Sequence, residues 1–213
     1  MHFDSVTAIF FAALIIAIIL HEISHGFVAN LLGDDTAKRA GRLTLNPIPH
    51  VDPFGSIFLP VLGALTQVPV IGWAKPVPVN PSRLRNPRRD MLIVSLAGPG
   101  TNFALAAVAA LVARSQFHVH DVHSNLIVDL PMRVLIPFLF AEVNVFLGVF
   151  NFLPIPPLDG AALVERILPR TWLAGWYRIR PYGILVLLLL VIRGGLDPLF
   201  QPFLDHLKQF VFR

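Results

Sequence analysis

The feature that most constrains this chain is a set of long stretches almost free of charge. They lie at 5–20 (continuing to about 32), 55–74, 91–113, 134–158 and 181–192. A helix needs about 20 predominantly apolar residues to cross a bilayer. Only helices or closed barrels satisfy every backbone polar group there. The chain is 55% hydrophobic and 14% charged, where soluble domains carry about 25% charged residues. It is therefore expected to be an integral, multi-pass membrane protein, with 1–213 forming a single domain. The run from Ser5 lacks both the positive leader region and the cleavage site of a signal peptide, so it reads as a retained span.

The stretches are not equivalent. The first, third and fourth are long enough to span. The last, "PYGILVLLLLVI", is short, but Arg178, Arg180 and Arg193 can snorkel to the interfaces. Pro60, Gly63, Pro69 and Gly72 interrupt 55–74, which reads as re-entrant or interfacial, because broken helix at membrane depth needs protein or a water-filled cavity around it. "AKPVPVNP" after it reads as extended, edge-type chain, since proline removes ladder donors. Near the end Leu196, Leu199, Phe203, Leu207 and Phe210 recur at helical spacing, which predicts an amphipathic surface helix. The expected fold is an all-α polytopic membrane bundle of about four transmembrane helices. A re-entrant or extended element follows the first helix, and an amphipathic helix closes the chain. The core is expected over about 5–168, with a last span and surface helix over 176–213.

Charge orients the bundle. Residues 33–90 hold eight Lys or Arg and 154–180 hold four, whereas 114–133 holds only Arg114 and Arg133. The positive-inside rule then places 33–90 and 154–180 in the cytoplasm, with the bundle in the plasma membrane. The net charge of +4 fits contact with membrane lipid rather than nucleic acid, because the basic residues flank apolar spans.

Within the first span stands "HEISH", His21-Glu22-Ile23-Ser24-His25. Ionisable groups at membrane depth cost roughly 2.5–3.5 kcal/mol each on insertion scales, and such a cost usually marks a site. Histidines four apart share one helix face and can reach a single ion. The glutamate between them can act as general base, which is the mechanics of H-E-x-x-H. A chain with this composition would contain roughly 0.004 such matches by chance. There is no cysteine, so a metal must be held by His, Asp or Glu. A catalytic zinc needs a third protein ligand and an open position. "NFLPIPPLDG" (151–160) offers Asp159, where Pro154, Pro156 and Pro157 prevent a regular helix. If 55–74 does not cross, Asp159 emerges on the same side as His21 and His25. Charge and ligand geometry thus favour one topology.

These motifs resemble the site-2 protease family of intramembrane zinc metalloproteases. "HEISH" matches its H-E-x-x-H, "AGPGTN" (97–102) its A-G-P-x-x-N, and "NFLPIPPLDG" its N-x-x-P-x-P-x-L-D-G. "GRLTLNPIPHVDPFGS" and "GWAKPVPVNP" are similar to its bacterial members. The resemblance implies one zinc per chain on His21, His25 and Asp159, Glu22 as base, and a transmembrane segment of another protein as substrate. Unlike larger members, the chain is expected to lack a PDZ or CBS module and a helix before the H-E-x-x-H span.

Asn102 and Asn151 are candidate substrate or oxyanion ligands, while Glu142 and Asn144 read as interhelical glue. His50, near Asp52, is a candidate accessory residue. "HVHDVH" (118–123), with His118, His120 and His123, reads as a solvated loop, and "RLRNPRR" (83–89) as a lipid-headgroup anchor. The expected function is a zinc-dependent intramembrane endopeptidase with its active site toward the cytoplasm. The alternative from another class is a membrane metal-ion binding or transport protein using the same His and Asp ligands. A transporter would more naturally show inverted repeats and carboxylates along several spans.

Overall fold

A computed structural model describes residues 5–58, 62, 65, 74–118 and 130–213. Among these residues the chain is all helix and irregular connection, with no strand. The helices are α1 (Ser5–Leu31), α2 (Thr36–Arg39), α3 (Pro87–Gln116), α4 (Met132–Phe152), α5 (Ala161–Ile167), α6 (Arg170–Ile179), α7 (Gly183–Ile192) and α8 (Asp197–Phe212). Among the described residues, four helical runs are long and apolar enough to cross a membrane: α1, α3, α4, and the 23 residues from Arg170 to Ile192. The last run is longer than the uncharged stretch 181–192 suggests. α6 and a single 3₁₀ turn extend it backwards through Arg170, Arg178 and Arg180.

α1, α3 and α4 form the bundle. In lipid, helices associate through close packing rather than a hydrophobic driving force, so small residues collect at their contacts. Ala13 and Ala17 of α1 meet Val143 of α4. Ala29 of α1 meets Val94 of α3 beside Leu84. Ala109, Ala110 and Ala113 of α3 meet Phe138 and Ala141 of α4. These pairings make α3 antiparallel to both α1 and α4. Large apolar side chains such as Phe11, Ile15, Leu111 and Leu189 point outward, as lipid-facing surfaces require.

Leu32 O accepts the Arg85 amide at 3.2 Å, so the chain leaves α1 and enters α3 on the same face. The expected re-entrant element at 55–74 lies mostly outside the described residues. The stretch 74–80 runs without helix or strand. Its donors go to separate partners instead of a ladder: Lys75 N–H to His50 O at 2.9 Å, Val77 N–H to Glu22 Oε2 at 2.8 Å, and Asn80 N–H to Asp34 Oδ2 at 2.6 Å. Pro76 and Pro78 between them have no N–H to offer.

Asp34 anchors this connection. It is fully buried and accepts from Asn80 N–H, from Thr36 N–H at 3.1 Å and from the Thr36 hydroxyl. Burial pushes its carboxyl up, but these hydrogen bonds and the charge of Arg83 outweigh that and hold it below the usual range. A depressed carboxylate contributes stability that is present above its unfolded pKa and lost as pH falls through the folded value. Asp34→Ala should therefore lower the melting point at neutral pH, by about 1–3 kcal/mol for the orphaned donors. The deficit should shrink on acidification below about pH 4, where wild type loses the same contribution. Thermal unfolding in detergent at several pH values measures both.

The C-terminal amphipathic helix is α8, and it lies along the bundle. Phe200 packs on Val149, while Leu207 and Val211 pack on Ala110, Ala113 and Phe138, so α8 runs antiparallel to α4. Its covered stripe is Leu196, Phe200, Leu207 and Val211, while Phe203 and Phe210 stay exposed. Leu196 and Leu207 of the expected stripe are covered as expected, while Phe200 and Val211 take the inward places expected of Phe203 and Phe210.

Candidate metal centre

α4 stops at Phe152, and the proline-rich turn after it carries Asp159 back toward the bundle. The turn closes where Gly160 N–H donates to Asn151 O at 2.7 Å. A side chain at 160 would collide with the Phe152 and Leu153 carbonyl oxygens, so glycine is required there. Arg88, in the first turn of α3, fastens α5 behind the turn. Its Nη2 donates to the carbonyls of Glu165, Arg166 and Leu168 at 3.3, 3.1 and 2.6 Å, satisfying acceptors that a helix C-terminus leaves open.

The turn places Asp159 against the histidine pair. Asp159 Oδ2 lies 3.1 Å from His21 Nε2 and 3.2 Å from His25 Nε2, and the two Nε2 atoms are 3.1 Å apart. Both histidines are buried. The outward-facing nitrogen of each ring is tied to α3: His25 Nδ1 to Val94 O at 2.7 Å, and His21 Nδ1 to Asn102 Oδ1 at 2.6 Å. A carbonyl oxygen can only accept, so His25 Nδ1 carries a proton, and in the neutral imidazole that a metal binds its Nε2 presents a lone pair.

Both imidazole Nε2 atoms and a carboxylate oxygen thus converge on one point. Asp159 Oδ2 is buried and receives no hydrogen bond of acceptable geometry. Gly98 keeps the neighbouring wall open: a Cβ there would stand 2.5 Å from His25 Nε2 and 2.6 Å from His21 Nε2. Two nitrogens and one oxygen 3.1–3.2 Å from one another, beside a space kept clear by glycine, suit a zinc ion with three protein ligands. Among the described residues, His21, His25 and Asp159 are the group of ligand atoms close enough to share an ion.

The remaining candidates fall elsewhere. Glu22 is partly exposed, its Oε2 held by Val77 N–H. Asn102 is fully buried, and its amide joins His21 to Asn144, whose Oδ1 accepts from Asn102 Nδ2 at 2.8 Å. Asn151 is partly exposed near the Asp159 turn and donates to Leu147 O at 3.0 Å. His50 is buried in the connection, with its Nε2 2.9 Å from Thr44 O, outside the metal group. Asp52 caps the turn Pro53–Phe58 through Phe54 N–H and Gly55 N–H. His120 and His123 lie outside the described residues. Two contributors carry no side-chain signature in the sequence, the Val94 carbonyl and the Val77 amide. Gly98 was signalled only by its place in "AGPG".

A cavity of about 430 Å³ borders the centre, with Asp159, Ala162, Ser95 and Met91 in its wall and Tyr177 and Arg180 at its α6 side.

Comparison with known proteins agrees with this geometry. The description of Peptidase family M50 matches residues 9–134. "Putative zinc metalloprotease YwhC" of Bacillus subtilis is 37% identical over 179 residues, covering 84% of this chain and 78% of that protein. "Putative zinc metalloprotease Rip2" of Mycolicibacterium smegmatis is 32% identical over 188 residues, covering 87% of this chain and 67% of the relative. Its namesake in Mycobacterium tuberculosis is 35% identical over 162 residues, covering 75% and 58%. No solved structure matches. A helical membrane chain that gathers two histidines of an H-E-x-x-H helix with a distant aspartate, and that matches the family over more than half its length, belongs to peptidase family M50, the site-2 protease zinc metalloproteases.

Proposed function

We propose that this metalloprotease hydrolyses peptide bonds within or beside transmembrane segments of other membrane proteins, at a centre near the cytoplasmic face of the plasma membrane. The observation that carries this reading is the position of the ligands. His21 and His25 sit in the second half of a 27-residue apolar helix, walled by α3 and by the turn after α4. A peptide that reaches them must come from the membrane or its edge.

Bound zinc would act as a Lewis acid, lowering the pKa of a coordinated water and polarising the scissile carbonyl. His21, His25 and Asp159 would hold the ion. Glu22, steadied by Val77 N–H, accepts the proton of the attacking water and returns one to the leaving amine. Asn151, partly exposed beside the turn, is suited to hold substrate backbone or the developing oxyanion. The cavity beside Asp159 gives water an approach. A substrate helix must unwind locally, because its carbonyls are otherwise engaged in i→i−4 bonds.

The cytoplasmic assignment is supported by the basic connections. Lys38, Arg39, Arg83 and Arg88 stand at the end where α1 finishes and α3 begins, and a positive excess marks the inner face. Because the chain has no cysteine, single cysteines report its sidedness directly. Replacements at Ser82 and Thr171 should label only from the cytoplasm, and one at Gln116 only from outside. Labelling of Ser82 and Gln116 from the same side would defeat the topology.

The functional test is cleavage in reconstituted vesicles. Tagged single-span proteins are incubated with wild type, with the metal chelated, and with zinc restored, and the products are sized by mass spectrometry. Product ends inside or within a few residues of the span support the reading. Cuts confined to distant soluble loops would overturn it.

A further inference from the structure

The hydrogen bond on His21 does not end at Asn102. Asn102 Nδ2 donates to Asn144 Oδ1 at 2.8 Å, and Asn144 Nδ2 donates to Phe140 O at 2.8 Å. Both asparagines are completely buried, on α3 and α4 respectively. An amide alone can face either way, so the direction of such a chain must be set at one end. Phe140 O is a carbonyl and can only accept, so the Asn144 NH₂ must face it. Its Oδ1 then faces Asn102 and can only accept, so Asn102 turns its NH₂ toward α4 and its Oδ1 toward His21. That oxygen in turn requires a proton on His21 Nδ1, and Nε2 is left with its lone pair.

We propose that Asn144 and Asn102 are positioning residues, a relay through which an α4 carbonyl fixes the tautomer and ring orientation of the metal ligand His21 on α1. Partners of the distal ring nitrogen commonly set which tautomer a ligand histidine adopts. The two ligands are served unequally. His25 takes its acceptor straight from the Val94 backbone, which no side-chain substitution removes, whereas His21 depends on two side chains. Asn144 touches neither ion nor substrate and acts only through Asn102. Asn102, with both ends of its amide engaged, is thereby assigned to the ligand rather than to the oxyanion. If Asn144 offered no acceptor, the Asn102 amide would be free to rotate. Its NH₂ facing His21 would demand a bare Nδ1 and put the proton on Nε2, where the ion binds.

This inference rests on the reading of His21 as a ligand, and an isosteric pair separates the two. In a helix a threonine hydroxyl can donate to the carbonyl four residues back and still accept from Asn102. Asn144→Thr therefore preserves the direction of the relay, while Asn144→Val has the same shape without it. Zinc affinity is measured by competition with a chromophoric chelator on purified, folded protein. Asn144→Val is expected to bind zinc about 10–100-fold more weakly than Asn144→Thr. Asn144→Thr should lie near wild type. Equal affinities in the two variants would overturn the relay. Wild-type affinity in His21→Ala would instead overturn the ligand reading itself.

A second readout needs no variant of Asn144. Nitrogen-15 histidine spectra of chelator-treated wild type at pH 8, with the His21 signal identified by its loss in His21→Gln, should show the proton on Nδ1. A His21 Nδ1 that carries no proton in folded wild type would refute the relay even if Asn144→Val failed to fold.

Discussion

Glu22→Gln is expected to keep a full complement of zinc and to turn over substrate about 10²–10⁴-fold more slowly than wild type, the usual contribution of a positioned acid–base group. The substitution exchanges one oxygen for an NH₂ and changes little in volume. Glutamine can still present an oxygen to Val77 N–H, which holds the carboxylate at 2.8 Å, so the packing of 74–80 over α1 should survive. None of the atoms converging on Asp159 Oδ2 belongs to residue 22, and the ligand set is untouched. What is lost is a group able to take a proton and return it, since an amide does neither near neutral pH. In free-energy terms the loss is about 2.7–5.5 kcal/mol of transition-state stabilisation. Zinc per chain and kcat must be measured on one preparation. Near-wild-type turnover would remove Glu22 from the chemistry, and parallel loss of zinc would make its role structural.

The membrane class was legible because lipid leaves so few options: an uncharged run of sufficient length has little alternative to a helix. The histidine pair was legible because spacing of four residues has one meaning on a helix. The approach of Asp159 was reachable by counting crossings, and Leu32 O bonded to Arg85 N–H now supplies the step that the ambiguous 55–74 left open. Other parts were hidden for physical reasons. Asn102 is an amide, which both donates and accepts, so residue type alone cannot say whether it faces a substrate or a ligand. Val94 and Val77 contribute backbone atoms, and nothing in a valine announces its carbonyl or N–H. On α8 the expected stripe held at Leu196 and Leu207 but not at Phe203 and Phe210, because the neighbouring Phe200 and Val211 are also apolar and the packing partners on α3 and α4 decide between them. The start of the last helical run was obscured by Arg170, Arg178 and Arg180. One of these is paired where α6 folds back on α5: Arg180 lies 3.3 Å from Glu165 Oε1.

Gly98→Ala is expected to cost the protein its zinc, with affinity falling roughly 100-fold or more, the upper end for a disturbed ligand environment. The added Cβ would meet His21 Cε1 and His25 Nε2 at 2.5 Å and His21 Nε2 at 2.6 Å, well inside the usual contact distance of about 3.5 Å. Ordinarily a crowded side chain rotates away, but these rings have nowhere to go without losing a bond. His21 is tied to Asn102 Oδ1 and His25 to Val94 O, and both anchors stand on α3, the helix that carries residue 98. If the rings swing aside, they leave their acceptors and the ion together. If α3 backs away, it draws both anchors with it and opens the α1–α3 contact at Ala29 and Val94. The strain of either route is on the order of 1–3 kcal/mol, so the variant should still fold, with a lowered melting point. Gly100→Ala is the control, because its Cβ would meet nothing within 4 Å. Two residues along the same helix it should retain zinc and, if anything, melt higher, since alanine favours helix over glycine by about 1 kcal/mol. Full zinc occupancy in Gly98→Ala would mean that the imidazoles do not face α3 at this residue, and the ligand geometry around Asp159 would have to be redrawn from its other side.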